Sequence, residues 1–318
     1  ALLGDGATRL GGDKYLAWHE SLDRPGKTIV IAPPRPAPPL AARPRQFSVT
    51  RVETWVRDPY AIYARHILKL RPLDPLDADP GAAERGNFIH LALEHFVAAH
   101  PKDLPGDAIE KLLECGRQAL GTSLERPAVR AFWWPRFERI AIWFVEQERG
   151  RRAEGISPLA TEADGALILA GPGGDFTLTA RADRIDSTAE GGGIIVDYKT
   201  GAPPTLKQVE SGFSPQLPLE AAILAAGGFK GLEKMPVARL DYVKLSGGEP
   251  VGELKPLKAD ALALGEAAVA GLVARIAKFD DPTTPYLSRP HPQFMKYAGD
   301  YDHLARVKEW SSGGEADE

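Results

Sequence analysis

The spacing of apolar residues changes near Leu159, and this change constrains the fold more than any other feature of the sequence. Upstream, apolar residues recur every three or four positions, as on one face of a helix, whereas downstream they alternate, as in a half-buried strand. The predicted helices lie at about 83–99, 109–120, 127–149, 216–226 and 259–279. The predicted strands lie at 166–170, 176–186, 194–199 and 237–245. This order predicts an α/β (α+β) fold in which helices flank a mixed central sheet.

Length and composition exclude several classes of protein. The chain has 318 residues, enough for one large domain or two small ones. Its single cysteine, Cys115, excludes an intrachain disulfide framework, a four-thiolate zinc site and a cysteine-ligated iron–sulfur cluster. No apolar run reaches the length of a membrane span, and the N-terminus lacks the pattern of a signal peptide. We therefore expect a cytoplasmic protein and, because no Met begins the sequence, a piece of a longer chain.

Charge does not decide the class of partner. The formal net charge of −4 differs from the basic balance of many nucleic-acid-binding proteins. Three of the acidic residues, Glu315, Asp317 and Glu318, lie in the stretch 311–318, which is predicted to be a disordered tail. Without these three, the rest of the chain is close to neutral. The net charge therefore neither supports nor excludes DNA as a partner, and this inference has to rest on local groups of residues.

Proline and arginine dominate the start of the chain. Residues 1–46 are predicted to be a Pro/Arg-rich linker or the remnant of a preceding domain, and a plain tether is favoured over a peptide-recognition motif. Compact structure is predicted over residues 47–310. Ser48 or Thr50 can cap its first helix, which Pro59 interrupts.

Two carboxylates are predicted to meet across a strand pair. If the turn between the second and third predicted strands is centred on Glu190, Asp183 lies directly opposite Asp197, with Cβ atoms about 4.5–5.5 Å apart. Facing carboxylates need a shared proton or a cation, and oxygen ligands at this spacing suit Mg²⁺. A slip by one residue would place Asp186 or Arg184 there instead, so the register is open at this point.

A lysine accompanies one of these carboxylates. Asp197 and Lys199 are two residues apart on one predicted strand and therefore share a face. A metal-binding carboxylate beside an ammonium group suits phosphodiester hydrolysis, because the two together can activate water and stabilise charge on the phosphate. The alternative is a surface ion pair, since an Asp-x-Lys triplet arises about once by chance in a chain of this length.

Four motifs in a characteristic order carry a family resemblance. They are ERGNFIHLALEHF (84–96), RADRID (181–186), IIVDYKTG (194–201) and SPQLPLEAAIL (214–224). Together they resemble the motifs of the RecB-like branch of the PD-(D/E)XK nuclease superfamily. The flanks FSVTRVETWVRDPYAIYAR (47–65) and DYDHLARVKEW (300–310) look like the two ends of the C-terminal nuclease domain of the AddB subunit of bacterial AddAB helicase–nucleases.

The resemblance implies a fold and a function. The fold would be a PD-(D/E)XK, restriction-endonuclease-like core with N-terminal helical additions. The function would be Mg²⁺-dependent exonuclease hydrolysis of single-stranded DNA, with Mn²⁺ able to substitute, in double-strand break repair and recombination. An AddA-like helicase subunit would feed the strand from a duplex end. The alternative is a catalytically weak scaffold of the same fold that binds DNA or docks the helicase.

The resemblance also implies roles for single residues. His90, Asp183 and Asp197 would bind the metal together with the backbone carbonyl of Tyr198, and Lys199 would be the catalytic lysine. The residues that would contact DNA or border the site are Gly86, Arg184, Thr200 and Gln216.

Several of these side chains have open alternatives. For Arg184 and Thr200, a salt bridge and a turn hydroxyl are as good as a phosphate contact. Glu94, one helical turn after the predicted metal-binding histidine, suits either an acceptor for the imidazole N–H or a surface group. Glu220 stands where the family more often has tyrosine, which leaves its role undecided.

The resemblance includes one clear departure. Many domains of this family carry four cysteines that hold an iron–sulfur cluster, one at the position of Asp58 and three after the nuclease core. Neither place has a cysteine here, so no cluster is expected, and Cys115 is predicted to be a small core residue. The two ends of the domain are then predicted to be joined by packing or polar contacts of Trp55, Tyr60, Phe294 and Tyr297.

Overall fold

The computed structural model describes residues 12–23, 31–73, 81–292 and 298–311. The chain divides into two compact units, residues 35–301 and residues 1–34 with 302–318. The described helices of the latter unit are α1 (Asp13–Asp23) and, last in the chain, α10 (Val307–Ser311). The predicted tail lies outside the described residues, except for Ser311 at the end of α10.

Helices and strands of the larger unit follow the predicted order. The helices are α2 (Val49–Arg57), α3 (Pro59–Ile62), α4 (Ala82–Ala99), α5 (Ala108–Leu120), α6 (Trp134–Ala153), α7 (Leu206–Glu210), α8 (Gln216–Ala226) and α9 (Ala261–Phe279). The strands are β1 (Gln46–Ser48), β2 (Ser157–Leu169), β3 (Phe176–Ser187), β4 (Gly193–Lys199), β5 (Val237–Leu245) and β6 (Gly252–Pro256). Within the described ranges, none of the helices combines the length and apolar character needed to cross a lipid bilayer.

Differences from the predicted elements have local causes. β2 begins at Ser157, whereas the sequence predicted residue 166. The first half of the strand was missed because it pairs with β3 but does not alternate between buried and exposed residues. β1 and β6 were missed: β1 is too short to show alternation, and β6 is an edge strand that is at most half-buried. At α2 the prediction is confirmed, since Ser48 caps the helix and Pro59 interrupts it.

The sheet is built around β3. β2 runs antiparallel along the full length of β3, so β1 and β4 share the other edge of that strand. β1 is parallel to Thr177–Thr179, whereas β4 is antiparallel to Arg184–Ser187. β5 is parallel to β4 and β6 antiparallel to β5, which makes the sheet mixed, as predicted. Among the described strands, residues 180–183 of β3 therefore have no ladder partner between β1 and β4.

The register of β3 and β4 is the one that a turn centred on Glu190 predicts. Arg184 lies opposite Val196, and the ladder ends at this pair. Asp183 and Asp197 therefore lie just beyond the end of the ladder, where the two strands separate.

Two hydrophobic cores lie on opposite faces of the sheet. The core under α2, α8 and α9 includes Ile195, and the core under α4, α5 and α6 includes Val196 and Tyr198. Because side chains alternate along a strand, Asp197 and Lys199 share the face of Ile195. The sheet therefore presents both polar residues on the side of α8.

Packing begins before residue 47, where the sequence predicted the start of compact structure. Arg43 is buried, and its guanidinium donates to the carbonyl oxygens of Phe279 and Asp281 at 2.7 and 3.0 Å. These contacts fix the last part of the predicted linker 1–46 against the end of α9. That part of the linker is not a free tether.

Helices α2 and α3 join the beginning of the larger unit to its end. The rings of Trp55 and Phe279 pack with centroids 4.8 Å apart, and the backbone N–H of Tyr60 donates to the carbonyl of Leu287 at 3.0 Å. The predicted roles of Trp55 and Tyr60 are therefore confirmed. Phe294 and Tyr297 lie outside the described residues.

A polar contact lies at Asp58, the position where the resemblance places the first cluster cysteine. Asp58 is buried, and its Oδ1 accepts a hydrogen bond from the backbone N–H of Arg289 at 3.2 Å. The contact links the start of α3 to the segment that follows α9. Cys115 lies on α5, half-buried against the core of α4, α5 and α6, as predicted.

Candidate active site

The end of β4 and the start of α8 bring three polar side chains together. Lys199 Nζ lies 2.8 and 2.6 Å from the two carboxylate oxygens of Asp197. Gln216 donates from Nε2 to Asp197 Oδ1 at 2.8 Å, and its Oε1 lies 3.5 Å from Lys199 Nζ. Asp197 is only 1% exposed, so these two side chains replace water around its carboxylate. The predicted Asp–Lys pair and the predicted glutamine are thus in one group.

The open edge of β3 supplies a second carboxylate. Asp183 Oδ2 accepts a hydrogen bond from the backbone N–H of Tyr198 at 2.9 Å, where a strand carbonyl would otherwise bind. His90 on α4 points Nδ1 at the same oxygen, 3.5 Å away. Burial lowers the pKa of His90, but the hydrogen bond and charge of Asp183 outweigh this effect, and the net pKa is raised. His90 and Asp183 therefore meet, as the resemblance implies.

Burial and neighbouring charges together set the protonation states of Asp197 and Lys199. Burial, the largest effect, raises the pKa of Asp197 to about 6; Lys199 lowers it and Asp183 raises it further. Burial also lowers the pKa of Lys199, but the charge of Asp197 outweighs it, and the net pKa is raised. Lys199 is consequently an ammonium group at neutral pH.

The donors of the site fit a divalent cation. Asp197 Oδ2 is buried and, among the described residues, has no hydrogen bond of good geometry, although Lys199 is close. A carboxylate oxygen with unused acceptor capacity, near a second carboxylate and an imidazole, suits Mg²⁺ or Mn²⁺. The side chain of Tyr198 packs in the core of α4, α5 and α6, which leaves only its backbone carbonyl as the predicted ligand.

Gly86 and Thr200 lie side by side at the border of the site. A Cβ atom added at Gly86 would lie 3.5 Å from Thr200 Oγ1, an ordinary van der Waals distance. Helix α4 therefore passes close to the end of β4, as predicted for a glycine at this position. The DNA contacts of both residues stay predictions.

Of the two alternatives for Arg184, the structure shows the salt bridge and not the phosphate contact. Arg184 is 2% exposed, and its guanidinium donates to the two carboxylate oxygens of Glu148 at 2.8 and 3.1 Å. Arg184 lies opposite Val196, which packs in the core of α4, α5 and α6, and the two side chains share that face of the sheet. Arg184 consequently points to α6 and takes part in a buried ion pair.

Sequence reasoning missed one member of the site, Glu162 on β2. One ligand atom from each of His90, Glu162 and Asp183 lies within 4.8 Å of the other two. The backbone of Glu162 is left-handed, with φ +47°, in the middle of a strand. This conformation costs a non-glycine residue about 1–2 kcal/mol. The sequence signal was weak, because polar and apolar residues do not alternate in this part of β2.

Two further carboxylates lie near the site. Glu220 is buried and accepts a hydrogen bond from Gln216 Nε2 at 3.3 Å. Burial, followed by the charges of Asp197 and Asp183, raises its pKa well above the usual range. Both effects favour the protonated form of the Glu220 carboxyl. For Glu94 both predicted alternatives stay open.

The mixed sheet flanked by helices is consistent with the PD-(D/E)XK nuclease fold. A profile of the PD-(D/E)XK nuclease superfamily matches residues 46–290, and the chain belongs to that superfamily. Nucleases of this superfamily generally use Mg²⁺ or Mn²⁺.

Similar proteins include two uncharacterized proteins from Rickettsia. The one from Rickettsia bellii is 33% identical over 186 residues, which cover 58% of this chain and 22% of the relative. The one from Rickettsia felis is 33% identical over 190 residues, with coverages of 58% and 22%. The matched stretch thus spans less than a quarter of these relatives. The chain in the crystal structure of SSO0001 is 11% identical in sequence to this one. The match covers 80% of this chain and 81% of that chain, and its TM-score of 0.30 adds nothing to the family assignment.

Proposed function

We propose that this domain is a Mg²⁺-dependent nuclease that hydrolyses phosphodiester bonds of single-stranded DNA. The observation that carries the proposal is the contact between Lys199 and the buried carboxylate of Asp197, next to the pair of Asp183 and His90. These two aspartates, the histidine and the backbone carbonyl of Tyr198 would hold Mg²⁺, which Mn²⁺ can replace.

The residues of the chain divide the chemical work. When bound, the cation polarises a phosphate oxygen and makes a coordinated water more acidic. Lys199 stays protonated and cannot act as a base. It donates hydrogen bonds that orient the attacking oxygen and neutralise charge developing on the phosphate. Gln216 contacts both Lys199 and Asp197 and keeps their polar atoms in position.

We place this activity in a helicase–nuclease complex of the cytoplasm. The support is the resemblance of residues 47–65 and 300–310 to the two ends of an AddB nuclease domain. An AddA-like helicase would feed the strand, and the domain would act as an exonuclease in double-strand break repair and recombination. This assignment is tested by measuring the degradation of linear duplex DNA, which is expected to require ATP and both subunits.

The nuclease itself is tested with two substitutions in the site. We expect Asp197→Asn and Lys199→Ala each to lower kcat on end-labelled single-stranded DNA by about 100-fold or more, because each removes a charged group from the reaction site. Lys230→Ala is the matched control, since Lys230 is an exposed lysine paired with Asp164 at 3.2 Å. Wild-type rates in both site variants would contradict the proposal. DNA binding without hydrolysis by the wild-type protein would favour the scaffold alternative.

A further inference from the structure

We propose that Glu162 is a ligand of the divalent cation and binds it together with His90 and Asp183. This inference rests on the proposed function and deepens it, because it adds a side chain from β2 to ligands drawn from α4, β3 and β4. Neither the sequence motifs nor the similar proteins assign a role to Glu162.

The distances within the group allow one ion to contact all three side chains. One ligand atom from each of His90, Glu162 and Asp183 lies within 4.8 Å of the other two. Ligand atoms bound to one Mg²⁺ at about 2.0–2.1 Å are separated by at most about 4.2 Å. Small side-chain rotations would therefore bring the three atoms around a single ion while the backbone stays in place. Two carboxylates and one imidazole form a donor set that suits Mn²⁺ and Mg²⁺.

The group is distinct from the contacts of the catalytic lysine. Asp197 is bound by Lys199 and Gln216 and is not a member of the His90–Glu162–Asp183 group. In the proposed site, Asp197 would be a further ligand of the same cation, supplied by β4. Asp183 belongs to this group and also lies close enough to Asp197 for its charge to act on that carboxylate.

An ordinary ion pair is the competing explanation for Glu162. Arg181 Nε lies 2.6 Å from Glu162 Oε2, and the Arg181 side chain is 63% exposed. A pair with Arg181 alone does not require a second carboxylate close by, and two nearby carboxylates repel each other unless a positive charge lies between them. A cation removes this repulsion, and its binding also needs His90 in the neutral form.

The test is a Mn²⁺ titration of the full chain, followed by the electron paramagnetic resonance signal of the free ion. We expect Glu162→Gln to weaken Mn²⁺ affinity at least about tenfold, because it removes a charged oxygen ligand. Asp164→Asn makes the same charge change on the same strand and is expected to leave the affinity unchanged. Arg181→Gln removes the ion pair and is expected to leave the affinity unchanged or to raise it.

An affinity of Glu162→Gln within twofold of wild type would overturn the inference. Urea unfolding in EDTA checks that each variant is folded; should Glu162→Gln unfold, Glu162→Asp keeps the charge on a shorter side chain and is expected to bind Mn²⁺ more weakly than wild type.

Hydrolysis assays on the same samples separate the two claims. Wild-type hydrolysis with an affinity that does not depend on Glu162 contradicts only the inference. Binding of Mn²⁺ that depends on Glu162, without hydrolysis, contradicts only the proposed nuclease.

Discussion

Asp197 is held in the fold at a cost in stability. Burial is the main cause that raises its pKa from 3.8 to about 6, so the metal-free fold disfavours the charged form relative to the unfolded chain. The stability contributed by the protonated carboxyl is complete below the unfolded pKa and is lost as pH rises through about 6. The residue that we propose as a cation ligand thus weakens the metal-free fold at the pH where it is charged.

We therefore expect Asp197→Asn to stabilise the metal-free protein more at pH 8 than at pH 4, because asparagine does not ionise. The pKa shift sets an upper limit of about 3 kcal/mol for this difference, and loss of the contact with Lys199 reduces it. Urea unfolding in EDTA at the two pH values gives the measurement. An effect of the same size at both would contradict the prediction, and Asp164→Asn, at an exposed carboxylate, serves as control.

The sequence predicted which residues meet in the site better than the directions of their side chains. Asp183, Asp197 and Lys199 could be placed because a tight turn sets the register of two strands and because alternation sets the face. For Arg184 the resemblance left a phosphate contact open, although the same register places it opposite the buried Val196. Glu162 was missed because its left-handed backbone has no sequence signature outside glycine, asparagine and aspartate.

At the scale of elements, buried ions join α6 to the sheet. Arg184 of β3 pairs with Glu148 of α6, and Arg151 of α6 pairs with Asp186 of β3 and Asp241 of β5. Removing one partner of such a pair leaves a buried charge without compensation, which is more costly than the intact pair is favourable. The network therefore fixes the position of α6 more than it adds to stability.

We expect Glu148→Gln to lower the free energy of unfolding by about 1–3 kcal/mol, because Arg184 loses one of its two carboxylate partners in a buried site and keeps only Asp186. Glu146→Gln, at an exposed position of the same helix, is the matched control and is expected to change stability by about 0.5 kcal/mol or less. The urea midpoint of each variant gives the measurement. Equal midpoints for the two variants would show that the network carries no such penalty.

The sequence predicted the helices and strands that are long and strongly periodic, and it missed the short ones. The bounds of α8 and β5 agree with the prediction, because apolar residues recur along the full length of each segment and a glycine or polar residue follows. β1 depends for its pairing on β3, which is distant in the chain, and such pairing leaves no local pattern in the sequence. β6 pairs with the preceding strand β5, but it is short and at most half-buried.

At the scale of the whole larger unit, the chain closes on itself through its two ends. Arg43 binds the carbonyls at the end of α9, and Asp58 binds the backbone of Arg289. The sequence predicted that packing would join the ends at Trp55 but not that Arg43 would take part, because an arginine in a proline-rich stretch is typical of an exposed linker.

We expect Asp58→Ala to lower the free energy of unfolding by about 1–3 kcal/mol, because the backbone N–H of Arg289 loses its acceptor in a partly buried place. Asp58→Asn keeps an acceptor oxygen and is expected to retain most of this stability. Urea unfolding of the two variants provides the comparison. If alanine and asparagine behave alike, the hydrogen bond to Arg289 is not what the aspartate contributes.

The bond between Asp58 and Arg289 has a consequence for the conditions under which this domain can be made. A carboxylate and a backbone amide are present as soon as the chain is synthesised, and their contact needs neither iron delivery nor sulfide. Neither the carboxylate of Asp58 nor the backbone amide of Arg289 is a group that oxygen or peroxide attacks. The join between the two ends is therefore expected to form equally well in iron-starved and in oxidatively stressed cells.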